Sequence, residues 1–205
     1  NTNPTLDNTE TIELVKAEEA KSGVGRVLPM GWGSKGRVGK ELAPLAELAG
    51  VGVVGFSDDG SPVLNTALMM SALRASRILG LPIIDHCEHT GLTEGGVMNW
   101  GSLSIFLGLK GMPAAAEEIM VARDVALAGM TGGWVHIAHV STEESVNIIR
   151  QAKKSGVHVT AEVTPHHLTL TEEKVRGYDT NAKVNPPLRT EKDVRALIQG
   201  LKECV

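Results

Sequence analysis

Short runs of β-branched and aliphatic residues alternate along this chain with stretches that have helical spacing. Most of the short runs are apolar on both faces, which is typical of buried parallel strands rather than of strands with one solvated face. The order of the two kinds of segment predicts about five successive βα units. The predicted strands are 26–30, 51–57, 82–86, 134–140 and 158–164.

Helices are predicted between these strands. The last of them has the clearest ends, because Ser141 and Glu144 match a capping box and Gly156 follows as a stop signal. The second carries an apolar stripe at helical spacing. The predicted helices are 9–22, 65–79, 113–129 and 142–155.

The number of βα units separates two parallel architectures. Five consecutive units exceed one mononucleotide-binding half, and no strand is followed by a GxGxxG or GxxxxGK motif. The glycine-rich segment 31–40 departs from both motifs, and we interpret it as a flexible βα loop. A (β/α)8 barrel needs eight strands. We therefore predict that residues 1–205 form a single domain that is part of a TIM-type barrel.

The composition excludes several classes of partner. The 205 residues are 42% hydrophobic but only 3% aromatic, so the core must be aliphatic. A net charge of −4 leaves no basic field for nucleic acid. Cys87 and Cys204 are too few for a disulfide framework, and no apolar stretch approaches the roughly 20 residues that cross a bilayer. We expect a cytoplasmic protein that binds neither nucleic acid nor a membrane.

Three of the predicted strands end at or near residues of types that commonly bind metal ions. Asp59 follows the second strand, His86 ends the third, and His139 lies near the end of the fourth. Carboxylate and imidazole groups suit Zn²⁺, and barrel active sites lie at the carboxyl ends of the strands. Each residue also has an ordinary explanation, since Asp58 or Asp59 can cap a turn and a single histidine is more often a hydrogen-bonded polar group. Their recurrence at the same end of three strands favours a metal site.

The remaining histidines and Cys87 have weaker signals. His136 and His139 are an odd number of positions apart and cannot both face inward from one strand, so we select His139, nearer the strand end. His166 and His167 follow the fifth strand, and either could bind metal. We favour hydrogen bonding to the metal ligands for this pair, with loop packing as an equal alternative. Cys87 is expected to be a buried thiol packed against a helix.

Seven segments occur in the order of one family's motifs, and together they are specific. They resemble dihydroorotases of the class found in many bacteria and in the multifunctional pyrimidine-pathway protein, within the amidohydrolase superfamily. Hydantoinases and allantoinases resemble the same plan but generally carry a carboxylated lysine where Asp59 stands. The segments are NTNPTLDN (1–8), FSDDGSPV (56–63), PIIDHCEH (82–89), EGGVMNWG (94–101), HIAHVSTEESV (136–146), VTAEVTPHHLTLTEE (159–173) and KVNPPLRTEKD (183–193).

The resemblance implies a role for each matching residue. Asp59 resembles the carboxylate that bridges two zinc ions, and His86 and His139 resemble the imidazoles that hold the more exposed ion. Asn1 resembles a contact of the substrate carboxylate. Asn185 resembles a residue that binds the pyrimidine ring.

Two family features have no counterpart in these residues. One is a His-x-His-x-Arg motif at the first barrel strand, and the other is a final aspartate that binds metal and moves the proton. We therefore expect the chain to supply about strands three to seven of the barrel and to be inactive by itself.

The implied reaction is the zinc-dependent, reversible cyclisation of N-carbamoyl-L-aspartate to L-dihydroorotate in pyrimidine biosynthesis. A homo-oligomer is expected, and aspartate transcarbamoylase is a candidate partner. Two alternatives stay open. One is a hydantoinase or allantoinase acting on another ring. The other is a non-catalytic dihydroorotase-like subunit that partners aspartate transcarbamoylase, although the retained ligands argue against it.

Overall fold

The structure is a computed structural model that describes residues 2–205. Within this range, no helix has both the length and the apolar character needed to span a bilayer. Short 3-10 turns lie at Lys35–Arg37, Glu172–Val175 and Thr180–Ala182. The strands are β1 (Phe56–Ser57), β2 (Ile83–Asp85), β3 (Met98–Asn99), β4 (Gly111–Met112), β5 (Val135–Ile137) and β6 (Val159–Ala161). The helices are α1 (Thr9–Ser22), α2 (Leu45–Gly50), α3 (Thr66–Leu79), α4 (Thr90–Thr93), α5 (Ser102–Leu107), α6 (Ala115–Thr131), α7 (Glu143–Lys154), α8 (Pro165–Thr169) and α9 (Glu191–Lys202).

The chain divides into two compact units. The first runs to His86 and also includes Leu127–His136. The second consists of Cys87–Ala126 and Ile137–Val205. The boundary between the units falls within helix α6 and within strand β5.

The first unit is built on the parallel pair β1 and β2, in which Phe56 pairs with Ile83. The Ile83 amide donates to the Trp134 carbonyl at 3.0 Å, so the start of β5 lies beside β2. Gly31 forms an isolated parallel bridge to Phe56 on the other side of β1. Helices α1, α2 and α3 supply the apolar side chains that cover these strands. The fully buried residues of this unit include Ile12, Leu48, Phe56, Met69 and Leu73.

The second unit contains the end of β5, strand β6 and the separate parallel pair β3 and β4. Its helices α7 and α9 pack closely, because a Cβ atom at Gly200 would lie 2.9 Å from a methyl group of Val146. A larger residue at this position would force the Val146 side chain or the helices to shift. A small apolar cluster of Met98, Leu103 and Val175 covers the β3 side of the unit.

The predicted helices are confirmed, and their ends follow local signals. Helix α1 begins after Asn8, whose side chain accepts from the Thr11 amide at 3.0 Å, and Gly23 ends it in the left-handed conformation. The predicted capping box at Ser141 is wrong. Thr142 is the cap of α7 and accepts from the Ser145 amide at 3.1 Å.

The strands are shorter than predicted, and the first is absent from the residues described. Segment 26–30 has no regular strand, although the Val54 amide donates to the Pro29 carbonyl at 3.0 Å. Pro29 has no amide hydrogen, so this segment cannot continue a ladder in both directions. Two strands, β3 and β4, and five helices, α2, α4, α5, α8 and α9, were not predicted from the sequence. Helix α9 did carry a signal, since Thr190 and Asp193 form a complete capping box.

We expect Gly133→Ala to lower the free energy of unfolding by about 2 kcal/mol, because an added methyl group overpacks this site. A Cβ atom there would lie 2.2 Å from the carbonyl oxygen of Leu73 in α3, which is backbone and cannot move aside cheaply. Gly25→Ala is the matched control, since a Cβ there meets nothing within 4 Å. Urea unfolding of both variants measures the difference, and equal stabilities would contradict the packing argument.

Candidate metal and substrate site

Asp58 and Asp59 follow β1 but have different surroundings. Asp58 is 5% exposed, and one of its carboxylate oxygens accepts from the Gly33 and Ser34 amides at 2.8 and 3.1 Å. Its other oxygen accepts from the Ser34 hydroxyl. Burial raises the pKa of Asp58, and these hydrogen bonds act in the opposite direction. Asp58 therefore holds the glycine-rich loop, whereas the side chain of Asp59 is 56% exposed.

Asp59 and His86 are brought together in the first unit. The Asp59 Oδ1 and His86 Nδ1 atoms are 3.7 Å apart, and the His86 side chain is only 5% exposed. This separation is too long for a hydrogen bond. It is close to the roughly 3.4 Å between two ligand atoms bound about 2.1 Å from one tetrahedral zinc ion. The pair thus fits a metal ion in both chemistry and spacing.

His139 lies in the second unit, two residues beyond the end of β5, and not on the strand as predicted. Its φ of 38° is left-handed, a conformation that costs a residue with a Cβ atom about 1 kcal/mol. The Glu162 amide donates to the Ile137 carbonyl at 3.1 Å, and the Val140 amide donates to the Glu162 carbonyl at 2.9 Å. A regular parallel ladder would have these partners two residues apart rather than three. The extra residue is a bulge, so side-chain alternation does not decide where His139 points.

His166 and His167 begin helix α8, and the structure distinguishes them. His167 is buried, with Nε2 3.0 Å from the Pro186 carbonyl and Nδ1 2.7 Å from the Thr164 hydroxyl. Because a carbonyl only accepts, Nε2 carries the hydrogen and Nδ1 accepts. Within residues 2–205, the buried Nε2 atom of His166 has no hydrogen-bond partner. His167 thus holds the loop that contains Pro186, and His166 is the member of the pair with an uncommitted nitrogen.

Asn185 lines a cavity of about 700 Å³ in the second unit. Its Nδ2 atom donates to Glu88 Oε2 at 2.8 Å. Glu88 also accepts from the Thr93 hydroxyl, and Lys183 lies at the same cavity wall. The cavity is within the range of about 300–1,000 Å³ that is usual for small-molecule sites.

Two further predictions concern Cys87 and Asn1. Cys87 is buried with its Sγ atom 3.5 Å from Asp124 Oδ2 of α6, so the prediction of a thiol packed against a helix is confirmed. The predicted substrate contact Asn1 lies outside the described residues.

The sequence reading missed three buried or half-buried polar residues. Glu88 lies two positions after His86 in the PIIDHCEH segment, and this position could have marked it as a candidate site residue. Glu117 and Arg189 are buried in the second unit and approach each other to 3.8 Å. Arg189 ends the NPPLR segment, but the position of Glu117 within a helix gave no sign of its role.

Solved structures of hydantoinases have the same fold as this chain. A D-hydantoinase structure matches with a TM-score of 0.63 at 21% identity, covering 78% of this chain and 38% of that chain. An L-hydantoinase (dihydropyrimidinase) from Arthrobacter aurescens matches with a TM-score of 0.65 at 21% identity and the same coverage. The chain is therefore an α/β protein with part of a (β/α)8 barrel, as predicted.

Sequence comparison narrows this class to one family. The family described as "Dihydro-orotase-like" matches residues 1–145. A dihydroorotase of Pelotomaculum thermopropionicum is 54% identical over 203 residues, 99% of this chain and 47% of that relative. A dihydroorotase of Caldanaerobacter subterraneus is 51% identical with the same coverage. The chain belongs to the dihydroorotase-like family, and it spans about half the length of the curated relatives it matches.

We expect Asp58→Ala to destabilise the fold by about 2 kcal/mol, because two amides and one hydroxyl would lose a buried acceptor. Asp59→Ala, the matched neighbour, should change stability by less than about 0.5 kcal/mol, since its side chain is mostly exposed. Urea unfolding of the metal-free protein compares the two. A larger loss of stability in Asp59→Ala than in Asp58→Ala would contradict the structural role assigned to Asp58.

Burial lowers the pKa of His167 to about 4. An unfolded histidine titrates near pH 6.5, so between about pH 6.5 and 4 the unfolded state binds more protons than the folded state. Stability should fall as the pH drops through this window, by up to about 1.4 kcal/mol per pH unit, and this group contributes no further loss below it. His167→Gln should flatten that slope in urea unfolding, whereas His158→Gln, at an exposed position, should retain it. If His167→Gln keeps the parental dependence of stability on pH, His167 is not the group responsible.

Proposed function

We propose that this chain is the central part of a dihydroorotase, which interconverts N-carbamoyl-L-aspartate and L-dihydroorotate. The observation that carries the proposal is the approach of Asp59 to His86 in a chain that is 54% identical, over 99% of its length, to a dihydroorotase. Structural similarity to hydantoinases supports the fold but does not by itself identify which cyclic amide is the substrate.

We propose zinc as the metal, with Asp59, His86 and His139 among its ligands and two ions in the site. The donor chemistry supports this, because one carboxylate and two imidazoles are borderline ligands that suit Zn²⁺. Bound zinc would lower the pKa of a water molecule and polarise the amide carbonyl. Asp59 is proposed to bridge the ions, which agrees with an exposed carboxylate whose buried neighbour Asp58 carries the structural hydrogen bonds.

The cavity beside Asn185 is proposed to bind the substrate. Asn185 donates to Glu88, so its amide orientation is fixed by an acceptor that cannot donate when ionised. The ring amide of dihydroorotate offers both a donor and an acceptor, which suits recognition by an asparagine amide. His167 supports the site by holding the Pro186 carbonyl next to Asn185.

Asn1 is proposed, from the family resemblance, to contact the substrate carboxylate. His166 is proposed to serve the metal site, either as a ligand or as a hydrogen-bond donor. Its buried Nε2 atom has no hydrogen-bond partner among residues 2–205, so it is not committed to another contact there. Homo-oligomer formation and association with aspartate transcarbamoylase stay predictions.

The test is a substrate panel on the intact protein that contains these residues. We expect turnover of N-carbamoyl-L-aspartate and dihydroorotate, with no comparable turnover of hydantoin or allantoin. Asp59→Ala should reduce activity at least about 1,000-fold. Loss of a metal ligand would remove both the activation of water and the polarisation of the amide carbonyl. Glu18→Ala, which removes an exposed ion pair with Lys21, is the control and should retain parental activity.

Each other outcome of the panel has a definite meaning. Preferred turnover of hydantoin or allantoin would assign a different cyclic amide hydrolase. No turnover by a folded, zinc-loaded parent protein would support a non-catalytic subunit. Near-parental activity of Asp59→Ala with full metal content would remove Asp59 from the site.

A further inference from the structure

Buried side chains hold the backbone that follows His139. Glu117 of α6 accepts from the Ser141 amide at 2.9 Å and from the Thr142 amide at 3.3 Å, both through Oε1. Glu117 and Ser141 are buried. This carboxylate therefore restrains two successive amides that begin two residues after His139.

The Ser141 hydroxyl joins Glu117 to Arg189. It donates to Glu117 Oε2 and accepts from Arg189 Nε at 3.0 Å. A hydroxyl can donate and accept at the same time, which no apolar replacement of similar size can do. Ser141 is thus the bridge between a buried carboxylate and a buried guanidinium.

Arg189 is held from its other side as well. Its Nη1 atom donates to Asn99 Oδ1 at 2.8 Å and to the Met112 carbonyl at 2.9 Å. With only 4% of the residue exposed, the guanidinium depends on these partners and on the charge of Glu117. The position of Arg189 is consequently fixed by β3 and β4, and it transmits that restraint to Ser141.

His139 itself lies in a backbone conformation that needs such restraint. The bulge between Ile137 and Val140 is fixed by two backbone hydrogen bonds to Glu162, the residue that follows β6, and Ser141 comes directly after Val140. A left-handed φ at a residue other than glycine persists when the surrounding structure over-determines it, and such residues cluster at functional sites.

We infer that Ser141, held between Glu117 and Arg189, is a positioning residue that keeps His139 in the left-handed turn from which its imidazole binds metal. This inference rests on the proposed metal role of His139. Residues that orient metal ligands from outside typically contribute about 10- to 100-fold to metal affinity.

The experiment compares Ser141→Ala with Ser104→Ala in the intact protein. Ser104 is also buried in the second unit, and its hydroxyl accepts from the Gly101 amide at 3.0 Å and donates to the Gly101 carbonyl at 2.9 Å. Zn²⁺ affinity is measured by competition with a chelator, and the melting temperature is measured without metal. Ser141→Ala should bind Zn²⁺ about 10-fold more weakly than the parent. Ser104→Ala should lose stability but retain parental affinity.

His139→Ala separates failure of this inference from failure of the proposed function. If His139→Ala loses affinity while Ser141→Ala retains it, Ser141 is not a positioning residue and the metal role of His139 stands. If His139→Ala binds Zn²⁺ like the parent, the metal role of His139 and the positioning role of Ser141 are both refuted. Equal loss of affinity in Ser141→Ala and Ser104→Ala would show a general effect of destabilisation and also overturn the inference.

A second variant covers poor folding of Ser141→Ala. Arg189→Lys keeps a positive charge near Glu117 but removes the guanidinium donor to Ser141. It should likewise weaken Zn²⁺ binding about 10-fold, and parental affinity in a folded Arg189→Lys protein would contradict the inference.

Discussion

Buried carboxylates satisfy backbone amides in the loops that follow the strands. Such loops carry amides with no ladder partner, and leaving one buried and unpaired costs about 1–3 kcal/mol. In the first unit Asp58 accepts from Gly33 and Ser34, and in the second Glu117 accepts from Ser141 and Thr142. The loops therefore have a defined conformation, which a site built at strand ends requires.

In two places, adjacent residues of the same type have different contacts. Asp58 holds a loop, whereas the adjacent Asp59 exposes its carboxylate toward His86. His167 uses both ring nitrogens to hold the chain near Pro186, whereas His166 keeps a buried nitrogen without a partner in the described part of the chain. In each pair one residue is held in place by several hydrogen bonds of its side chain.

Much of the fold was accessible from the sequence. The four long helices α1, α3, α6 and α7 were predicted within about two residues, because caps and stop signals are local, as Asn8 and Gly23 illustrate at the ends of α1. The approach of Asp59 to His86 was also accessible, since the carboxyl ends of adjacent parallel strands share one edge. The pair β3 and β4 was missed because each strand is two residues long and has no period to detect.

The sequence by itself determined the helix ends, the buried parallel strands and the kinds of side chain at the strand ends, because these depend on residues a few positions apart. Only the tertiary structure decided that Asp58 and Ser141 are scaffold and that His139 lies in a bulge. Those assignments depend on partners far along the chain, 24 residues away between Ser141 and Glu117 and 48 between Ser141 and Arg189. A hydrogen bond over such a separation exists only once the fold has brought its two groups together.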